Sequence, residues 1–235
     1  MTDKYNQLRI LQQKFQKQLK LTPVMGAELE FYLSDNIDIQ KLGQEIGFDI
    51  EKERGGGQYE IQFLPHQDLV LLAQLIENTR KNIIEYCAAK NGWANFNSKP
   101  YIDDFGSSMH VHINFLEDND IEKYANILCH SLRDYIDFCL PLAEDYQRLD
   151  HKFMAPTHVC WGGNNRSVMI RIPDAFPKRI EHRLPSSSAD PALLFYGLLN
   201  VIKQALYTQN DIVEFPKIYG NAFDLQYNLQ KIDTI

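Results

Sequence analysis

Hydrophobic positions change period several times along the chain, and each change marks an element. Tyr5, Leu8, Leu11, Phe15 and Leu19 recur at three- and four-residue steps, which predicts one amphipathic helix stopping before Pro23. From Val24 to Leu33 the period shortens to two and predicts a strand. A short helix around Ile39 to Ile46 precedes two alternating runs, Phe48 to Glu53 and Gln58 to Leu64. Gly55, Gly56 and Gly57 split them, a hairpin signal in which glycine supplies positive φ at the turn. Asp68 to Lys90 reads as a long helix, Trp93 to Asn97 with Ser107 to Phe115 as a second strand pair, and Asn119 to Phe138 as one more helix. Three strand candidates follow, His158 to Trp161, Arg166 to Ile172 and Arg179 to Leu184, before a helix that opens near Asp190 and Pro191 and runs to about Leu206. The alternation predicts an α+β fold, helices packed on an antiparallel sheet, in a single domain with its core at about residues 5–207 and an irregular tail over 208–235.

Side-chain parity within the strands carries the functional signal, because residues i and i+2 share a face. In the first strand Ala27, Leu29, Phe31 and Leu33 form an apolar face and Glu28 with Glu30 the other. Tyr59, Ile61 and Phe63 oppose Gln58, Glu60 and Gln62, and Met109, Val111, Ile113 and Phe115 oppose His110, His112 and Asn114. Arg179, Glu181 and Arg183 share a face as well. For any one strand, a polar face is most simply the wet side of a half-buried sheet. Across four strands, however, Glu, His and Arg recur without a lysine among those positions. Carboxylates converging on one face repel unless a cation neutralises them, and an oxygen-rich set with one imidazole suits Mg²⁺ or Mn²⁺ better than zinc.

Composition narrows the partners. With 235 residues the chain is long enough for one sizeable core. Its 24 Lys and Arg against 31 Asp and Glu leave a net charge of -7, with no polybasic block for nucleic acid or an anionic membrane. Cys87, Cys129, Cys139 and Cys160 are widely spaced and read as reduced core thiols. No segment approaches about 18 consecutive apolar residues, and a cytoplasmic protein is expected.

Six blocks in order resemble the catalytic domain of glutamine synthetase. They are GAELEFYL from Gly26, GGGQYEIQF from Gly55, GSSMHVHINF from Gly106, YQRL from Tyr146, WGGNNRSVMIRIP from Trp161 and RIEHRLPSSSADP from Arg179. The resemblance implies a curved sheet, ATP as co-substrate and two Mg²⁺ or Mn²⁺ sites. It implies that Glu30, Glu60 and Glu53 hold the metal beside the carboxylate substrate, with Glu51 competing for the place of Glu53. It implies Glu28, His110 and Glu181 for the metal on the nucleotide phosphates. Arg148, Arg183 and Gly106 match positions that bind the substrate carboxylate, and Arg166 matches the arginine on the transferring phosphoryl group. Arg183 and Arg166 are thereby the candidate catalytic residues, and His112, Arg171 and Arg179 match positions around the ATP phosphates. His66, His130, His151, His158 and His182 match nothing and read as surface or structural.

Departures from the family pattern concern the amine. Aligning Tyr146 to Pro156 with the family's loop puts Met154 where a carboxylate normally closes the site and deprotonates ammonium, with Asp150 or Asp145 as the alternative if the loop aligns differently. The sequence starts at the helix before the first metal strand, so the family's N-terminal β-grasp domain is expected to be missing. Phe105 stands where an Asn is usual, Ser108 replaces a Gly, and the stretch between Glu30 and Glu53 is short. The expected protein is an ATP-dependent carboxylate–amine ligase acting on glutamate or a related carboxylate, with the acceptor amine and any homo-oligomer left open. Its rival is a non-catalytic protein that binds metal, nucleotide or glutamate.

Overall fold

The computed structural model describes residues 3–208 and 214–235. Its framework is a mixed sheet of β1 (Pro23–Leu33), β2 (Ile50–Lys52), β3 (Gln58–His66), β4 (Ala94–Asn95), β5 (Met109–Phe115), β6 (Trp161–Gly162), β7 (Ile170–Arg171), β8 (Ile180–His182) and β9 (Lys217–Ile218). The strands lie in the order β2-β3-β1-β5-β8-β7-β6-β9, with β4 paired to the far end of β1. The helices are α1 (Lys4–Lys14), α2 (Ile39–Ile46), α3 (Leu69–Ala89), α4 (Ile121–His130), α5 (Leu132–Cys139) and α6 (Pro191–Thr208).

The antiparallel expectation holds from β2 to β7 and fails beyond it. Strand β6 pairs in parallel with both β7 and β9. The turn between β6 and β7 achieves this without a crossover helix, because Asn165 organises it. The Asn165 amide donates to the carbonyls of Ile218 and Gly220, and its oxygen accepts from the Ser167 N–H and hydroxyl. The β6, β7 and β8 strands are shorter than their hydrophobic runs suggested, and Trp93 to Asn97 contributes only β4, which pairs with β1 and not with the strand from Ser107. Two helices also differ from the periodic reading. The first passes at Phe15–Leu19 into a π turn ended by left-handed Lys20, and the fourth breaks at Ser131 into α4 and α5. Of the tail, residues 209–213 lie outside the described residues, while 214–235 supply β9 and two short 3₁₀ turns.

The apolar strand positions form one core face, with Leu29, Phe31, Ile61, Met109, Val111 and Ile113 completely buried. Helix α6, apolar on nearly every side, packs against α1, α3, α4 and α5 behind that face. All four cysteines are free and buried. No helix among the described residues is long and apolar enough to cross a membrane.

Asp190 begins α6 as its N-cap, accepting from the Ala192 and Leu193 N–H groups, and receives Lys4 at 2.6 Å from α1. Asp190→Ala removes the cap and the tie to α1 together. Urea denaturation should show a loss of about 1–2 kcal/mol, and an unshifted midpoint would contradict this account of how α6 is anchored.

Candidate active site

The sheet register brings the polar residues side by side. Across β1 and β3, Glu30 lies opposite Glu60; across β1 and β5, Glu28 lies opposite His110; across β5 and β8, His112 lies opposite Glu181. This face is not wet. Glu60 is 7% exposed, Glu181 3% and His110 9%, so the charges are held away from bulk water. Loop residues Phe105, Gly106, Phe153, Met154 and Arg166 cover them and leave a cavity of about 240 Å³.

The carboxylates have unequal partners. His110 and His112 each bond Glu28 at 3.0 Å. Burial opposes the Glu28 charge, but these two bonds outweigh it and hold the carboxyl well below its usual range. His110 is likewise opposed by burial, yet its bond to Glu28 raises its affinity for a proton. Glu30 accepts the Ser108 N–H at 2.7 Å. Glu181 is paired with Arg171 at 2.6 Å and Arg183 at 3.2 Å. Among the described residues Glu60 has only a 3.4 Å contact from Gln62. Burial, with the charges of Glu28, Glu30 and Glu53, pushes Glu60 up to about 8. A buried carboxylate facing other carboxylates, without a cationic side chain of its own, is what a metal ligand looks like before the metal is counted.

Ligand atoms of Glu28, Glu60 and His110 all lie within 4.8 Å of one another. This trio crosses the division expected from the resemblance, which put Glu60 with Glu30 and Glu53 and put Glu28 and His110 with Glu181. Two carboxylates and an imidazole at that spacing fit a divalent cation. Glu51 and Glu53 both border the cavity from the neighbouring strand end.

Positive charge borders the same cavity. Arg148 is buried at the edge of the cavity and donates to the main-chain carbonyls of Arg183 and Leu184, while its Nε has no partner among the described residues. Burial lowers its guanidinium to about 10, still charged at neutral pH. Gly106 has to be glycine here, since a Cβ would press into the Arg148 side chain and lie 2.7 Å from the Ser98 carbonyl. Arg183 also reaches the Arg166 carbonyl, and Arg171 grips the Asn164 amide oxygen.

Every candidate site residue borders this cavity except His112 and Arg179. Those two line an adjoining cavity of about 360 Å³ with Leu64 and Pro65, which shares Glu28 and Gln62 with the first. Arg179 Nε donates to His112 Nδ1 at 2.9 Å, so the His112 proton resides on Nε2 and points at Glu28. Met154, the residue at the family's loop-carboxylate position, borders the main cavity. The alternatives are engaged elsewhere, as Asp145 is buried against Leu142, Ser186 and Ser188, and Asp150 caps the turn at Lys152. Sequence reasoning passed over Arg54, whose only signal was its place beside the glycine turn. It also left Gln58 as a polar-face residue without a role, although both border the cavity.

Residues 38–235 match the family described as glutamine synthetase, catalytic domain, and the chain belongs to that family. It is 32% identical to gamma-glutamylputrescine synthetase PuuA of Escherichia coli over 68% of this chain and 38% of that protein. It is 30% identical to the glutamine synthetase of Sulfolobus acidocaldarius over 68% of this chain and 39% of that protein. The chain thus spans about two fifths of the length of these curated relatives. Among solved structures, GmaS in complex with ADP superimposes with a TM-score of 0.80 at 18% identity, covering 97% of this chain and 64% of that one. A Plasmodium falciparum glutamine synthetase gives 0.77 at 16% identity, covering 93% and 58%. These structural likenesses establish the fold.

The state of Glu60 sets a stability test. Its carboxyl keeps a proton up to about pH 8 in the folded protein, whereas an unfolded chain loses it near 4.5. The folded state therefore binds more protons between those values, and metal-free stability falls as pH rises through that window. Glu60→Gln should remove this decline, leaving the metal-free variant more stable than wild type at pH 8 by on the order of 2 kcal/mol or more. The same variant should lose most of the rise in melting temperature that Mn²⁺ gives the wild type. Wild-type melting that ignores Mn²⁺ would contradict the metal assignment.

Proposed function

We propose that this chain carries the active site of an ATP-dependent carboxylate–amine ligase, which activates glutamate or a related carboxylate as an acyl phosphate. The observation that carries the reading is one cavity lined both by the Glu28, Glu60 and His110 cluster and by Arg148, Arg166 and Arg183. Transfer of a phosphoryl group from one anion to another gathers negative charge, and such a cavity offers guanidinium groups together with a place for cations to meet it.

In this reading Glu28, Glu30, Glu53, Glu60, His110 and Glu181 would hold a pair of Mg²⁺ or Mn²⁺ ions, which when bound would supply positive charge to the phosphate groups. His112, Arg171 and Arg179 face the nucleotide phosphates, and the apolar side of the adjoining cavity, with Leu64 and Pro65, receives the base. Arg148, Arg183 and the Gly106 backbone bind the fixed carboxylate of the substrate. Its second carboxylate attacks the terminal phosphorus of ATP and ADP leaves, with Arg166 countering the charge on the group in flight. The amine then attacks the acyl carbon, phosphate departs with the bonding pair, and the amine gives up a proton.

The acceptor is an amine that arrives uncharged. The family's loop-carboxylate position is filled by Met154, which borders the cavity with Phe105 and Phe153, and Lys99 lies 3.7 Å from the centre of the Phe153 ring. Cation attraction and general-base catalysis both need a negative or basic group at that place.

The first test is ADP release with Mg²⁺ or Mn²⁺, glutamate and a panel of amines. Arg166→Ala should cut turnover about a hundredfold or more while leaving the Mn²⁺-dependent melting shift intact. Binding of nucleotide with no ADP release for any amine would instead establish the non-catalytic alternative. A second test compares acceptors. Hydroxylamine should outperform ammonium near pH 7, and Met154→Glu should raise the ammonium rate. Efficient use of ammonium by the wild type, lost in Asp150→Asn, would overturn the acceptor reading.

A further inference from the structure

Gln58 is a buried polar side chain, 2% exposed, at the start of β3. It shares a strand face with Glu60, yet its amide is committed to main chain on both sides. Its oxygen accepts the Gly55 N–H at 3.0 Å, inside the glycine turn between β2 and β3. Its nitrogen donates to the Gly106 carbonyl at 3.0 Å and approaches the Ser107 hydroxyl at 3.4 Å. One side chain thereby joins the tip of the hairpin to the loop that packs against Arg148.

Two neighbouring bonds make the same connection. The Gly56 N–H donates to Asp104 at 2.8 Å, and the Tyr32 hydroxyl donates to the Phe105 carbonyl at 2.8 Å. Space is tight enough that a Cβ on Gly55 would run into the Tyr32 hydroxyl and lie 2.8 Å from the Gln58 oxygen. The loop is in turn fixed from behind, because the Ser107 N–H donates to Ser98 and the Arg148 side chain passes over Gly106. The Gly106 peptide is therefore oriented by groups on both of its sides, and Gln58 is the one that ties it to the strand carrying Glu60.

We infer that Gln58 is a positioning residue, which sets the Gly106 backbone at a fixed distance from the metal-bearing strand and so defines where the substrate's unreactive carboxylate sits. This role rests on the ligase reading above, in which Gly106 and Arg148 receive that carboxylate. Gln58 itself touches no reacting atom. Its loss should weaken carboxylate binding and leave the transfer step alone, since the arginines and carboxylates facing the phosphoryl group are held by other bonds.

The test is Gln58→Met, which keeps length and removes both hydrogen bonds, with Tyr32→Phe as a milder second variant that removes one bond to the same loop. For Gln58→Met the KM for glutamate should rise about tenfold, with the KM for ATP, kcat and the Mn²⁺-dependent melting shift changing little. Amide exchange over residues 98–107 should quicken while that of β3 stays slow. Tyr32→Phe should move the glutamate KM in the same direction by a smaller factor. An unchanged glutamate KM in both variants, or a fall in kcat with the glutamate KM constant, would overturn the positioning role while leaving the ligase reading in place. A wild-type protein without glutamate-dependent turnover would overturn that reading and the role of Gln58 with it.

Discussion

Several carboxylates share one buried sheet face, and the rest of the site is arranged around the repulsion this creates. Glu28 is relieved by two imidazoles and Glu181 by two guanidinium groups, and Glu30 accepts a backbone N–H. Glu60 has none of these among the described residues, and burial with the neighbouring carboxylates pushes it up to about 8 when no cation is bound. The arrangement is costly for a fold that only has to persist, because apolar residues of similar size would pack there without the penalty of desolvating charge. It is economical for a site that collects cations and phosphate, since the ligands are already gathered and dehydrated when they arrive.

The two faces of the sheet divide the work. On the helical side α6 and its neighbours bury the alternate apolar positions and fix the strands. On the other side, three loops from distant parts of the chain meet over the carboxylates, and aromatic contacts join them. Phe105 packs edge-on against Phe153, Arg54 lies over the Phe105 ring and Lys99 over that of Phe153. Side chains at the rim and the Gln58 amide at the base both tie these loops together.

The sheet face was readable from sequence because its signal is a period of two that no loop geometry disturbs. Glu28, Glu30, Glu60, His110 and Glu181 were placed together by parity alone, and the register across β1, β3, β5 and β8 puts them there. The resemblance then separated metal positions from arginine positions. What parity does not encode is the reach of each side chain, and hence the grouping of Glu60 with Glu28 and His110 went unforeseen. The parallel pairing of β6 was hidden for a similar reason. It depends on the Asn165 amide bonding a carbonyl over fifty positions away, a contact with no local hydrophobic trace. Gln58 looked like any polar strand residue, because its two partners are backbone groups.

The central claim is that the buried carboxylate face is a divalent-cation site. Anomalous diffraction from crystals grown with Mn²⁺ tests it most directly, since it locates the ion without depending on turnover. The account predicts a Mn²⁺ peak within bonding distance of Glu28, Glu60 and His110. Peaks confined to surface carboxylates, with that cluster empty at saturating Mn²⁺, would contradict it.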